Sequence, residues 1–341
     1  MLAVDLGSRT TKAVLVQRRG EGFALSGYLL LDAPIFEKLL SAELLSEHLK
    51  AVSQGLGGRS KVVTLTVGVN DALVRPVEMP RLPLEELRMV LKFNSRNYLQ
   101  QDLSNYAFDC HVVPSSQPAA SATAGTAAGQ PKQKVLVAGA KQQLVNDYVE
   151  GAKGAGLIVD HIVPGLIGPV NAFERTMPEI FASQAIALVD IGFKSTTICL
   201  VQKGDLILSR VVAIGGDRLT LTLSESMNIS YAEAEGIKVG VPHEVQPALE
   251  ATLTPLGREL RASIDFFEHQ QDTTVSQVFV TGGSARSEVI MQALQAELMV
   301  ECRKWDPSSS LQMELPPEQA AELEQIGPQL TVAVGAALAA L

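Results

Sequence analysis

Asp5-Leu6-Gly7-Ser8-Arg9-Thr10-Thr11-Lys12 returns later in the chain as Asp190-Ile191-Gly192-Phe193-Lys194-Ser195-Thr196-Thr197. At the same offset Leu15 matches Leu200, Val16 matches Val201 and Gln17 matches Gln202, so the likeness continues into the segment after each turn. Duplication of one ancestral unit is the simplest account. Each copy predicts strand, tight turn, strand: Leu2 to Asp5 into Lys12 to Gln17, and Ala187 to Asp190 into Thr197 to Gln202.

The residue types in these turns suit an anion. Gly7 and Gly192 let the backbone come close to a ligand, successive N–H groups in a turn form an anion-binding concavity, and Ser8, Thr10, Ser195 and Thr196 add hydroxyl donors. Phosphate is the guest this predicts. Asp5 and Asp190 would repel phosphate directly, but facing a nucleotide they suit a hydrated magnesium ion that keeps several of its waters. Lys12 would neutralise a phosphoryl oxygen as a point charge, with no counterpart at Thr197. One such turn alone is ordinarily just a hairpin; a pair is what two lobes closing on one triphosphate require.

Two further glycine junctions extend the pattern. At Ala213-Ile214-Gly215-Gly216-Asp217 a strand gives way to a helix, whose N-terminus would aim free N–H groups at phosphate. At Val278-Phe279-Val280-Thr281-Gly282-Gly283-Ser284 the same change leaves room for a base or ribose. No Gly-x-x-x-x-Gly-Lys-Ser/Thr loop occurs.

This order of motifs, with Ala234-Glu235-x-x-Lys238 and Ala333-Val334-Gly335-Ala336-Ala337, resembles the actin-like ATPase superfamily, and within it the FtsA-related PilM family of type IV pilus assembly proteins. Met79-Pro80-Arg81-Leu82-Pro83, then Glu85-Glu86-Leu87, Phe93 and Tyr98, resembles the opening of that family's extra small subdomain. The resemblance implies an α/β fold of two lobes, each on a duplicated mixed-sheet RNase H-like core, with the small subdomain inserted. It implies ATP and Mg2+ as cofactors. Gly7, Ser8, Thr10 and Lys12 would form the first phosphate loop and Asp190, Gly192, Ser195 and Thr196 the second, with Asp5 and Asp190 supporting the metal through water. Gly215 and Gly216 would line the phosphate side, Glu235 and Lys238 the ribose and adenine side, and Gly282, Gly283 and Ser284 the base. Without the resemblance, Glu235 and Lys238 read as an ordinary i, i+3 surface ion pair.

The resemblance also implies a cytoplasmic adaptor that grips the N-terminal tail of a PilN-like inner-membrane protein and reaches the membrane only through it. Arg81, Phe93, Asn94 and Tyr98 would line the groove, although helix packing accounts equally well for Phe93 and Tyr98. Self-association stays open. Where many relatives place a carboxylate or amide that orients water, this chain has Val163 before Pro164, so a weak ATPase at most is expected and no catalytic residue is assigned. The alternatives are an FtsA-like filament-forming division protein, whose membrane-targeting amphipathic tail the Ala-rich ending does not resemble, and a small-molecule kinase. The kinase would need a base in the cleft that the Asp109 and His111 region does not clearly provide. A chaperone ATPase would need a substrate-binding region beyond the nucleotide lobes.

Composition agrees. A chain of 341 residues exceeds one ordinary core, which predicts two lobes. Its net charge of −9 argues against a general nucleic-acid binder. Cys110, Cys199 and Cys302 are widely spaced, as in a reducing compartment, and the histidines show no metal-ligand spacing. Met1-Leu2-Ala3-Val4-Asp5 predicts direct entry into a strand, with no secretory signal. The most apolar segment, Leu330 to Leu341, has 12 residues, short of the ~20 a spanning helix needs, and predicts a packed terminal helix whose small residues approach the second hairpin.

The expected domains are a first large lobe (1–78 with 157–184), an inserted subdomain (79–156) with a flexible Ala/Ser/Gly-rich loop (115–133), a second large lobe (185–227 with 274–341), and a helical cap on it (228–273) in which Pro255 breaks or kinks a helix.

Overall fold

The computed structural model describes residues 1–35, 40–113, 131–240 and 246–341; most of the loop expected to be flexible lies outside them. Both hairpins form. β1 (Leu2–Leu6) pairs antiparallel with β2 (Thr10–Arg19), which pairs with β3 (Gly22–Asp32). On its other side β1 pairs in parallel with β4 (Val62–Val67), and β4 with β8 (Ile158–Pro164). The second sheet repeats this plan. β9 (Ala185–Ile191), β10 (Thr196–Gln202) and β11 (Asp205–Val212) run antiparallel, while β9 continues in parallel to β12 (Gln277–Thr281) and β13 (Cys302–Lys304). Even a bulge is duplicated, falling between Leu15 and Val16 in one sheet and between Leu200 and Val201 in the other. A short strand, β14 (Gln312–Met313), joins the edge of the first sheet at β3.

Strand alternation places one apolar set on each face. Leu2, Val4, Ala13 and Leu15 pack under α1 (Ala42–Gly55) and α3 (Gln142–Gly154). Ser41 caps α1 by accepting from the Leu44 N–H at 3.3 Å, and Leu45, Leu49 and Val52 form its buried stripe. Ala3, Val14, Val16 and Leu25 face the other way, onto α11 (Thr331–Ala339). In the second sheet Ala187, Val189, Ile198 and Leu200 meet the helices α6 (Gly216–Met227), α8 (Gln246–Gln271) and α9 (Glu288–Leu298). Ile186, Leu188, Cys199 and Val201 meet α4 (Gly168–Thr176), which is followed by α5 (Pro178–Ser183).

The halves exchange helices. α4 follows β8 of the first sheet but packs on the second, and α11 ends the second half but packs on the first. The two helices lie against each other. The terminal helix was expected to approach the second hairpin; its small residues serve α4 and the β1–β2 side of the first sheet instead.

The third sheet, β5-β7-β6, is built from β5 (Ala72–Pro80), β6 (Tyr106–Val112) and β7 (Lys132–Lys141), with α2 (Leu84–Leu99) covering it. β5 is a strand the sequence does not announce, since Arg75, Pro76 and Glu78 interrupt its apolar pattern. α8 runs unbroken through Pro255. Leu249, Leu253, Leu256, Leu260, Ile264 and Phe267 form a buried stripe whose packing outweighs the one backbone hydrogen bond that proline forfeits. After β12 the helix begins later than the glycines suggest, with a 3-10 turn over Gly283–Arg286 before α9. The chain is completed by α7 (Tyr231–Gly240) and α10 (Pro317–Ile326).

Candidate functional site

The turns of both hairpins open into one cavity of about 700 Å³. Asp5, Gly7, Ser8, Thr10 and Lys12 line it from the first sheet, and Asp190, Gly192 and Ser195 from the second. Gly216, Glu235 and Lys238 close one side, and Gly282, Gly283 and Ser284 another.

Two expected donors are turned elsewhere. The Thr196 hydroxyl is fully buried and donates to the Ile214 carbonyl at 2.7 Å, while Thr197 lines the cavity. Alternation along the strand decides this, because neighbouring side chains point to opposite faces. Gly215 is absent from the wall and meets the second turn instead, where a Cβ on it would run into the Phe193 carbonyl. The N-terminus of α6 also differs from expectation. Its Gly216 N–H donates to the Gly192 carbonyl at 2.9 Å, Asp217 N–H to Phe193 at 2.9 Å and Arg218 N–H to Gly215 at 3.1 Å. The first two dock the helix on the second hairpin, the third closes the helix's own first turn, and none of the three is free for phosphate.

The charges are arranged in pairs. Lys12 Nζ lies 3.1 Å from Asp5 Oδ2, and Asp5 Oδ1 accepts from the Thr66 hydroxyl of β4 at 3.0 Å. No side chain could replace Gly7 without displacing Lys12, since a Cβ there would stand 2.5 Å from its Nζ. Asp190 faces this pair. Burial pushes its carboxyl up to about 6, with the positive charge of Lys12 opposing and Asp5 adding to the rise. Gly282 adopts φ +92° beside it, and any Cβ would collide with the Asp190 carboxylate.

Glu235 and Lys238 are an i, i+3 pair, yet not a surface one. Lys238 is 6% exposed and spends its ammonium on Glu235 Oε2 at 2.7 Å, the Thr220 hydroxyl at 2.7 Å and the Gly216 carbonyl at 3.1 Å. Burial lowers its pKa, with Glu235 opposing. Burial works upward on Glu235, but Lys238, Thr220 and Arg9 hold it below the usual range. Its remaining oxygen, Oε1, lies 3.1 Å from Arg9 Nη1, so this pair spans the cleft.

The cavity also takes in residues that were not singled out: Arg9, Phe193, Asn70, Asp71, Tyr148 and Ser287. Asn70 and Asp71 follow β4, with the Asp71 N–H returning to the Gly68 carbonyl at 2.9 Å. β4 holds in the first sheet the place that β12 holds in the second, so extending the repeat from Thr281-Gly282-Gly283 would have pointed to this loop. Asp109 and His111 lie on β6 in the third sheet, with Asp109 engaged by Arg88 at 2.8 Å, and do not line the cavity.

Such a cleft, with hairpins and cationic groups on both sides, can enclose a polyanion. Comparison with known proteins places it. The chain is 30% identical over 108 residues to the cell division protein FtsA of Bacillus subtilis, covering 32% of this chain and 24% of that one. It is 30% identical over 164 residues to the ethanolamine utilization protein EutJ of Escherichia coli, covering 48% of this chain and 50% of that one. The chain thus spans between a quarter and half the length of these curated relatives. A structure of a PilM-PilN type IV pilus biogenesis complex superposes with a TM-score of 0.84 at 22% identity, over 99% of this chain and 98% of that one. The model of the family described as type IV pilus assembly protein PilM matches residues 3–341. The protein therefore has the actin-like ATPase fold, and it belongs to the PilM family of type IV pilus assembly proteins.

Proposed function

We propose that the protein is a nucleotide-operated adaptor of a type IV pilus assembly platform. It holds ATP between its two hairpins and presents a closed surface to the N-terminal tail of a PilN-like inner-membrane protein. The observation that carries this is the meeting of Asp5-x-Gly7 and Asp190-x-Gly192 in one cavity, with Lys12 between the carboxylates' charges. Nucleotide shifts lobe closure by its differential affinity for the open and closed forms.

The donor set fits magnesium. Among the described residues no hydrogen bond or ion pair reaches the Asp190 carboxylate, which is desolvated and faces the cavity beside Asp5. Among them, too, no cluster of three or more acidic, His or Cys side chains could cage a metal directly. Asp190 and Asp5 would therefore hold the ion through its waters, and the ion would supply neutralisation of phosphate charge. With Val163 and Pro164 at the end of β8, no side chain there orients water, and turnover is slow or absent.

The inserted subdomain offers the tail a surface. On α2, Phe93 is 70% exposed beside exposed Asn94, where the helix is locally non-helical; Arg81 is exposed too, whereas Tyr98 packs into the third sheet's core. We extend the proposal to a peripheral, cytoplasmic placement: among the described residues no helix is long and apolar enough to cross a membrane. The proposed division keeps two lobes and an inserted subdomain with the tail groove between the subdomain and the first lobe, but its bounds shift: β5 takes Ala72–Pro80 into the subdomain's sheet, and α3, expected in the subdomain, packs on the first sheet.

Titration with fluorescent ATP, with and without Mg2+, should show magnesium-enhanced binding in wild type that Asp190→Ala loses while its circular dichroism is unchanged. A peptide from the N-terminus of a neighbouring PilN-like protein should bind the nucleotide-loaded form. Absence of nucleotide binding would remove the switch, and absence of peptide binding in every nucleotide state would remove the adaptor.

A further inference from the structure

We propose that Arg9 is a phosphate-binding residue held in reserve by Glu235, so that nucleotide and the Arg9–Glu235 pair exclude one another. The proposal rests on nucleotide binding in this cleft.

Arg9 stands in the first turn, two positions after Gly7, and its side chain crosses to the opposite wall. There its guanidinium lies over the Phe193 ring at 5.1 Å from the centroid, and Nη1 sits 3.1 Å from Glu235 Oε1. One residue thus joins the first turn, the second turn and α7. Among the other cations that line the cavity, Arg286 donates only to the nearby Gly283 carbonyl at 3.4 Å and does not cross the cleft. Lys12 is tied to Asp5, Lys194 to Asp217 at 2.6 Å, and Lys238 to three oxygens. Arg9 makes a single ion pair through one nitrogen, and its side chain is 43% exposed. A guanidinium has five N–H donors in a planar fork, which leaves most of this one able to meet phosphate oxygens in pairs.

The chemistry of the exchange is balanced. Glu235 Oε2 is occupied by Lys238 and Thr220, so Oε1 is the atom that Arg9 covers. When nucleotide enters, a ribose hydroxyl can donate to Oε1 while a phosphate oxygen accepts from Arg9. Neither charge is left unpaired, and the Phe193 face continues to hold the guanidinium over the second turn. The Arg9–Glu235 pair joins the two walls that a bound nucleotide would also join.

Arg9→Ala therefore acts oppositely on two ligands. Mg-ATP loses a charge-assisted contact, so its affinity falls about 10-fold or more. Adenosine, which offers ribose but no phosphate, finds Glu235 uncovered and binds equally well or better. The test measures Mg-ATP and adenosine affinities of wild type, Arg9→Ala and Phe193→Leu by calorimetry and ligand-observed NMR. Phe193→Leu keeps every charge but removes the platform, and should weaken Mg-ATP only about 2- to 5-fold. An Arg9→Ala protein that binds Mg-ATP like wild type, or loses ATP and adenosine in equal proportion, overturns the proposal while leaving the nucleotide site intact. Wild type that binds neither ligand would overturn the site itself, and this inference with it.

Discussion

Gly335 of α11 lies so close to the Gly168 carbonyl of α4 that a Cβ on Gly335 would overlap it, and a Cβ on Gly168 would stand 2.9 Å from Val332 Cα. The helices exchanged between the halves therefore cross with their backbones in contact, and small residues make that crossing feasible. Gly335→Val should force them apart. We expect a loss of about 1–3 kcal/mol, typical of overpacking, seen as a lower melting temperature. A variant as stable as wild type would show that the crossing has slack.

Asp190 sets a dependence on pH. Its carboxyl lies at about 6 in the folded chain against an ordinary 3.8. Between these values the folded state binds more protons than the unfolded one, so stability contributed by this group is present below pH ~4 and falls as pH rises to ~6. Asp190→Asn should flatten that fall and raise the unfolding free energy at pH 7.5 without nucleotide by an amount on the order of 1–3 kcal/mol, seen as a higher melting temperature. It should also abolish the magnesium enhancement of ATP binding. Parallel thermal melts of both proteins from pH 4 to 8 check the first claim; superimposable curves would refute it.

Gly282→Ala tests the approach of the Thr281-Gly282-Gly283 junction to Asp190. At φ +92° an alanine is strained, and its methyl would press on the carboxylate. A cost of about 1–3 kcal/mol is expected, with ATP affinity reduced because Asp190 is displaced. Urea unfolding together with nucleotide titration would register both effects.

Lys238→Met removes a buried ammonium from Glu235, Thr220 and the Gly216 carbonyl. Losing these contacts costs about 1.5–3 kcal/mol, the worth of a hydrogen bond to a charged group, because Glu235 keeps Arg9 as a partner. Adding Glu235→Gln should recover part of that loss in stability without recovering nucleotide binding. Chemical denaturation of the single and double variants measures the coupling.

Much of the fold was legible because duplication leaves aligned residues. Asp5 pairs in register with Lys12, and Asp190 with Thr197, at equivalent positions of equivalent hairpins. The same equivalence bears on one assignment: Thr196 corresponds to Thr11, whose hydroxyl is also buried and bonded, to His48 at 2.8 Å, although Thr11 still borders the cavity, whereas Thr197 corresponds to the cavity-lining Lys12. Arg9 and Phe193 stayed hidden for another reason. They lie far apart in sequence, at positions of the two turns where the repeat does not match, and only the meeting of the two turns brings guanidinium to ring.

The order of apolar strands, turn glycines and acidic residues was enough to determine two like halves, each with an anion-suited turn, because strand period and backbone freedom are local properties of the chain. Which helix covers which sheet and which carboxylate Arg9 meets were decided only in three dimensions. Those choices depend on burial and on charges meeting across a cleft, and neither exists until the two halves pack together.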